Sequence, residues 1–378
     1  MKKKKVIFVI NEYSFFISHR KKLIESLGED FNITVITDLS DCSEGDISNS
    51  SLYKLEHLDK KKHLTNPRKF YLGLKNLLHL IKRYDPDFIF YVSMENCVIG
   101  SILLRFTEAK KSFFLITGIE SFLKITSLKR FFVKLSFSVF LTFGIKKNKS
   151  CFIFQNKDDL RDIKNSLYRK MKEYLIIPGN GIDQIYYEYR NRSFDKKSLP
   201  IKILFASRLL TGKGINEFFI AANELGEQLD NIEFFIAGSY EPNNKLSISE
   251  QDFQKIQKSD YVQYLGNIKN QDMKNLYLSY DIFILPSYRE GLPASALEAA
   301  ATGMPLILSD VPGCRECVAD GKNGFLIQPK SIGSIKGAII KMHKNSHLIA
   351  AFSAESRSLI EKKFTVSIIS NSYKQLIT

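Results

Sequence analysis

The run Asp281-Ile-Phe-Ile-Leu-Pro-Ser-Tyr-Arg-Glu290-Gly-Leu-Pro-Ala-Ser-Ala-Leu-Glu298-Ala-Ala-Ala-Thr-Gly303 reads as strand, loop and helix in succession. Asp281 to Leu285 is a short apolar run suited to a buried strand. Ser287 to Leu292 is polar and contains a glycine, as a loop does. Pro293 suits the first helical turn, where its missing N–H costs nothing. Ala294 to Ala301 forms helix readily, and Gly303 ends it. This places Glu290 on the loop and Glu298 about a turn and a half into the helix. Open α/β sheets bind ligands at the carboxyl ends of parallel strands, so both carboxylates are expected at such a mouth. The neighbouring helix N-terminus favours an anion such as a diphosphate.

The same alternation extends in both directions. In the first half, Lys5 to Ile10, Phe31 to Thr37, Phe88 to Val92, Ser112 to Ile116, Cys151 to Phe154 and Tyr174 to Ile177 read as strands. Ile17 to Leu27, Pro67 to Arg83, Cys97 to Phe106 and Lys157 to Tyr168 read as helices. The second half repeats the pattern, with strands at Ile201 to Phe205, Ile232 to Ala237, Tyr261 to Leu265 and Pro305 to Ser309. Helices are expected at Ile215 to Leu225 and Gln271 to Tyr280. Repeated βαβ units imply parallel sheets. A chain of 378 residues exceeds one typical core, so two domains are expected, 1–185 and 186–349. The polar segment Tyr186 to Leu199 reads as their linker, and 350–378 as a helical segment packing back on the first domain.

A second cluster stands after the first strand of the second half, at Phe205-Ala-Ser-Arg208-Leu-Leu-Thr-Gly212-Lys213-Gly214. Two cations and two glycines in a strand-to-helix turn suit a diphosphate: glycine lets the backbone approach, the helix end offers N–H groups, and Arg208 can chelate oxygens. The Ser/Thr of a Walker loop is missing after Lys213. Taken singly, each cluster is also an ordinary solvated turn.

Together they resemble the retaining glycosyltransferases of family four. Glu290 and Glu298 match that family's E-x7-E region, and Arg208 and Lys213 its R-x4-K-G segment. Pro178-Gly-Asn-Gly181-Ile-Asp183 is similar to its hinge signature, and Tyr264-Leu-Gly266-Asn267-Ile268 to the loop whose backbone reads the nucleobase. Val311-Pro-Gly313-Cys-Arg-Glu316 and Asp320-Gly-Lys-Asn-Gly324-Phe resemble its G-x2-E and N-G segments. The resemblance implies a GT-B fold, α/β, with two doubly wound, Rossmann-like domains facing a central cleft. It implies that Arg208 and Lys213 hold the donor diphosphate, Glu290 the hydroxyls of the donor sugar and Glu298 those of the ribose. Gly266, Asn267 and Ile268 would meet the base, and the backbone at Gly291 and Leu292 the sugar and diphosphate. No D-x-D pair stands in the donor region, so no metal and no cofactor are expected. The resemblance also implies retention of the anomeric configuration by a front-face reaction, so the two-carboxylate hydrolase template does not apply to Glu290 and Glu298.

The net charge of +15 is uneven. Residues 1–190 hold 33 Lys+Arg against 21 Asp+Glu, while residues 191–378 hold 22 against 19. The basic half should meet something anionic. Between Ser121 and Lys157 there is no acidic residue, and Phe131, Phe132, Phe137, Phe140 and Phe143 alternate with Lys124, Lys129, Arg130, Lys134, Lys146, Lys147 and Lys149. Phe131 to Ile145 falls short of the roughly 20 apolar residues of a membrane span. A buried helix with a basic face fits it; the stretch 122–149 lying in an anionic membrane interface fits it better. Members of the family with a segment like Thr117-Gly-Ile-Glu-Ser-Phe122 act on polyprenyl-diphosphate-linked sugars, an acceptor that accounts for both the charge and the aromatics. Asn11, His19 and Glu120 are the acceptor-side candidates, although a lone His is more often a satisfied helix residue than a base.

The expected activity is transfer of a hexose or N-acetylhexosamine from a nucleoside diphosphate sugar, a UDP-sugar foremost, to a lipid-linked glycan in bacterial surface polysaccharide (O-antigen or capsule) synthesis. The expected place is the cytoplasm, peripheral on the inner face of the cell membrane. Five scattered cysteines favour a reduced setting, and Val6 to Ile10 is too short for a signal-peptide core. The lone Cys314-Arg-Glu-Cys317 lacks the second pair of a zinc ribbon. Two other readings remain: a UDP-sugar 2-epimerase on the same fold, and a non-enzymatic basic protein that binds membrane or nucleic acid. For nucleic acid, no RRM, KH or zinc pattern appears and the aromatics are not spaced as base platforms, so no nucleic-acid partner is expected.

Overall fold

The structure is a computed structural model that describes residues 3–40, 42, 50–58, 67–117, 149–166, 173–192 and 200–378. The chain divides into two units, Met1–Gly181 with Val366–Thr378, and Ile182–Thr365.

Among the described residues the first unit holds seven strands: β1 (Lys5–Glu12), β2 (Asn32–Asp38), β3 (Tyr53–His57), β4 (Phe88–Val92), β5 (Lys111–Ile116), β6 (Ser150–Phe154) and β7 (Tyr174–Ile176). All pair in parallel, in the order β3-β2-β1-β4-β5-β6-β7. Five of the eight residues of β1 and all five of β4 are buried, which is why these strands are unbroken apolar runs rather than alternating ones. Successive side chains serve opposite faces. Val6, Phe8 and Ile10 enter one core with Phe90 and Phe113, whereas Ile7 and Val9 enter the other with Tyr91 and Phe114. Phe90 stacks between Phe8 at 4.7 Å and Phe113 at 4.5 Å. The final helix, Val366–Ile377, covers this aromatic face with Tyr373, whose ring lies 5.4 Å from that of Phe90.

The second unit holds β8 (Ile201–Ala206), β9 (Ile232–Ala237), β10 (Val262–Gly266), β11 (Ile282–Leu285), β12 (Leu306–Ser309) and β13 (Gly324–Ile327), parallel in the order β10-β9-β8-β11-β12-β13. Each unit is therefore doubly wound. The order reverses between β1 and β4 in the first and between β8 and β11 in the second, the positions at which open α/β sheets bind ligands.

Several elements differ from the sequence reading. The helix expected over Ile17 to Leu27 starts as a π-helix, Phe16–Arg20, before the α-helix Lys21–Gly28. The segment expected as a linker is anchored as far as Arg192. The buried Arg192 guanidinium donates to the carbonyls of Tyr280 (3.1 Å), Tyr277 (2.8 Å) and Thr302, closing the ends of two helices. Residues 350–378 are not one segment. The helix His347–Lys363 belongs to the second unit, and the chain recrosses at Thr365. It enters and leaves that unit side by side, with the Ile182 N–H donating to the Phe364 carbonyl at 2.7 Å. Among the described residues no helix is long and apolar enough to cross a membrane.

Candidate functional site

The loops that leave β8 and β11 meet at the reversal point of the second sheet. After β8 the chain runs through Arg208 to a single 3-10 turn, Thr211–Lys213, and then to Gly214, which caps the helix Ile215–Gln228. Gly214 has φ +73°, and a Cβ there would sit 2.1 Å from the Pro286 carbonyl oxygen, so only glycine lets the two loops approach. The Tyr288 N–H donates to the Gly212 carbonyl at 2.9 Å across the same seam.

This seam brings Lys213 onto Glu290. The ammonium lies 2.6 Å from Oε1 and 2.9 Å from Oε2, and the Ser287 hydroxyl donates to Oε1 at 2.6 Å. The Glu290 side chain is 8% exposed and that of Lys213 24%. The two opposite charges are thus paired at short range where water is largely excluded, and removing either partner would leave the other uncompensated. Gly313 backs the arrangement: its φ is +78°, and a Cβ would meet the Gly291 and Glu290 carbonyl oxygens at 2.4 and 2.7 Å. The helix Ala294–Ala301 follows Pro293, which stands before the first turn as an extended N-cap and lends no side-chain bond to it. Its first N–H groups are thus open to an acceptor other than a capping side chain.

Arg208 is largely exposed, and its guanidinium is 4.0 Å from Glu241, too long for a committed pair. Glu241 is held by Asn244 Nδ2 at 2.8 Å and by the Ser239 hydroxyl at 3.2 Å. Glu298 has a different setting from Glu290. Tyr277, fully buried, donates its hydroxyl to Oε2 at 3.2 Å, and Tyr187 donates as well. Glu298 keeps part of its surface accessible, yet burial of the carboxyl raises its pKa to about 7, against the two hydroxyls that lower it. Both phenols are pushed well above their usual range by burial and by this carboxylate. The two glutamates, eight residues apart, therefore do not act as a pair.

At the end of β10, Gly266 adopts φ +78° and its carbonyl accepts the Gly238 N–H at 2.8 Å. Asn267 is exposed, while Ile268 and Leu292 are half-buried against the core of the second unit. In the first unit Asn11 stands at the reversal point between β1 and β4. His19 is exposed on the π-helix, its ring 4.9 Å from that of Phe15. Glu120, and all of 122–149 except Lys149, lie outside the described residues. Cys314 and Cys317 are buried, and burial pushes the Cys317 thiol well up, so this pair is not a poised redox site. Sequence reasoning missed Ser287, Tyr187 and Tyr277. Ser287 was within sight, three residues before Glu290; the tyrosines gave no signal.

Residues 189–359 match the model of the family described as glycosyl transferases group 1. The chain is a glycosyltransferase. It is similar to an N,N'-diacetylbacillosaminyl-diphospho-undecaprenol alpha-1,3-N-acetylgalactosaminyltransferase of Campylobacter jejuni, at 29% identity over 69% of each chain. It is also similar to a UDP-Gal:alpha-D-GlcNAc-diphosphoundecaprenol alpha-1,3-galactosyltransferase of Escherichia coli, at 27% identity over 78% of this chain and 76% of the relative. Among solved structures, sucrose-phosphate synthase from Thermosynechococcus elongatus shares the fold with TM-score 0.79 and 16% identity, over 99% of this chain and 98% of that one. The fold is GT-B, and the reading of the chain as a non-enzymatic binder falls.

Proposed function

We propose that this glycosyltransferase moves a hexose or N-acetylhexosamine from a UDP-sugar to a lipid-linked glycan, with retention of configuration, in bacterial surface polysaccharide synthesis. The observation that carries the donor side is the Lys213–Glu290 pair at the sheet's reversal point, beside a helix N-terminus without a side-chain cap and on the same loop as a loosely held Arg208. In this reading the diphosphate settles on the helix N-terminus and draws on Arg208 and Lys213 for neutralisation, with no metal assigned a part. Lys213 can serve the phosphate while Glu290 is released to accept donor-sugar hydroxyls. Glu298, steadied by Tyr187 and Tyr277, accepts ribose hydroxyls. The backbone of Gly266, Asn267 and Ile268 faces the base, and that of Gly291 and Leu292 the sugar and diphosphate. The leaving phosphate takes the acceptor's proton.

On the acceptor side the support comes from the two relatives, whose names specify undecaprenyl-diphosphate-linked sugars, and from the acid-free cationic and aromatic stretch 122–149. We place the enzyme on the inner membrane face through that stretch, with Asn11, His19 and Glu120 toward the acceptor. An epimerase role is not favoured, because the similar relatives are transferases. The test is transfer from a panel of UDP-sugars to an undecaprenyl-diphosphate-linked N-acetylhexosamine. Glu290→Gln is expected to lower kcat by about 10²-fold or more. Full transfer by that variant would remove Glu290 from the proposed role.

A further inference from the structure

The reversal point of the first unit carries a built polar site of its own. Asn96, fully buried, begins from the helix Met94–Leu103 just after β4. Its Nδ2 donates to the carbonyls of Val92 at 2.7 Å and Val9 at 3.2 Å, and lies 2.6 Å from Asn11 Oδ1. Main-chain carbonyls only accept, so the amide nitrogen of Asn96 must face them. That nitrogen has two hydrogens and cannot accept, so its third neighbour is an acceptor too, the long Val9 contact sharing a hydrogen, which sets Asn11 with Oδ1 inward. The Ser93 hydroxyl, 3.0 Å from the same oxygen, is thereby required to donate to it. Two atoms remain for a ligand. One is Asn11 Nδ2, a donor with no protein partner among the described residues. The other is Ser93 Oγ, whose lone pairs are left to accept. Ser93 holds this place at φ +86°, a conformation rarely adopted by a non-glycine residue.

We propose that Asn11 and Ser93 receive one hydroxyl of the acceptor sugar, and that Asn96 is the positioning residue that turns Asn11 toward it. A donor beside an acceptor is the complement of a hydroxyl. Neither Asn11 nor Ser93 carries a charge, so the pair offers no cation to the acceptor's diphosphate and suits the neutral ring. This inference rests on the transferase reading above.

The experiment is steady-state kinetics of Asn11→Asp and Ser93→Gly, with UDP-sugar and an undecaprenyl-diphosphate-linked N-acetylhexosamine varied in turn. Asn11→Asp keeps the inward oxygen and replaces the outward donor by an acceptor. Ser93→Gly removes the hydroxyl and relieves the backbone. Each is expected to raise the acceptor KM about tenfold and to leave the donor KM within twofold. Ser93→Gly should do so with an unchanged or higher Tm, which a merely structural role would not give. An acceptor KM unchanged in both variants, or both KM values rising together, overturns the inference while the wild-type transfer still stands. Wild-type protein that transfers to no such acceptor overturns the transferase reading, and this inference with it.

Discussion

Glu298 and Glu290 are two carboxylates on one loop and helix whose surroundings drive them apart. Glu290 meets a cation and a hydroxyl; Glu298 meets two phenols and little water. The second setting has a measurable consequence. The folded pKa of about 7 stands above the ordinary 4.5, so the folded protein binds more protons than the unfolded chain between those values. Stability therefore falls as pH rises through that window, by on the order of 1–3 kcal/mol. Glu298→Gln should flatten that slope in a series of thermal melts between pH 4.5 and 8. Donor affinity should run the other way, since ribose hydroxyls call for the ionised form. UDP affinity of the wild type is expected to rise by about tenfold from pH 6 to pH 8, and that of Glu298→Gln to stay level. A pH-independent wild type would refute the role given to this carboxylate.

Loops and helices fix what these side chains can do, and here glycine separates the two kinds of position. Gly214 is left-handed and pressed on Pro286, so Gly214→Ala should cost about 2–3 kcal/mol and abolish UDP binding by parting the loops. Gly337, exposed in the helix Ile332–Lys344 with nothing within 4 Å of a Cβ, should instead gain about 0.5–1 kcal/mol on mutation to Ala. Chemical denaturation of both variants checks the pair of signs. The elements that were legible in the sequence are those buried on both faces, such as β4 and β9, because burial writes a continuous apolar run. Strand β3, Tyr-Lys-Leu-Glu-His, was missed: it lies at the sheet's edge, is short, and mixes charge with apolar residues. The helix Glu250–Gln257 was missed because it buries only Ile256. Donor-side candidates were legible because strand, glycine and helix signals adjoin them. That Lys213 pairs with Glu290, 77 residues away, was not, since it depends on β8 and β11 lying side by side. The polar triad of Asn11, Ser93 and Asn96 was hidden for the same reason.

Across the whole molecule, the chain closes its first unit with its last helix. Tyr373 packs on Phe8 and Phe90, and its hydroxyl accepts from the buried Arg20 at 3.2 Å. Tyr373→Ala should destabilise the first unit by about 3–5 kcal/mol, leaving Arg20 without that partner, while the second unit keeps its own core. Calorimetry should show one transition moving down and the other in place, and UDP binding retained; a single shifted transition would contradict this independence. The uneven charge belongs to this scale too, since the basic half carries the proposed membrane and acceptor contacts and the nearly neutral half the donor.

The central claim is that the reversal point of the second sheet is a nucleoside diphosphate site built on Arg208, Lys213 and the helix behind Glu290. Calorimetric titration of UDP into the wild type and into Lys213→Met tests it most directly. The account predicts saturable binding of UDP by the wild type and at least tenfold weaker binding by the variant. Equal affinity in the two proteins, or no UDP binding by the wild type, would contradict it.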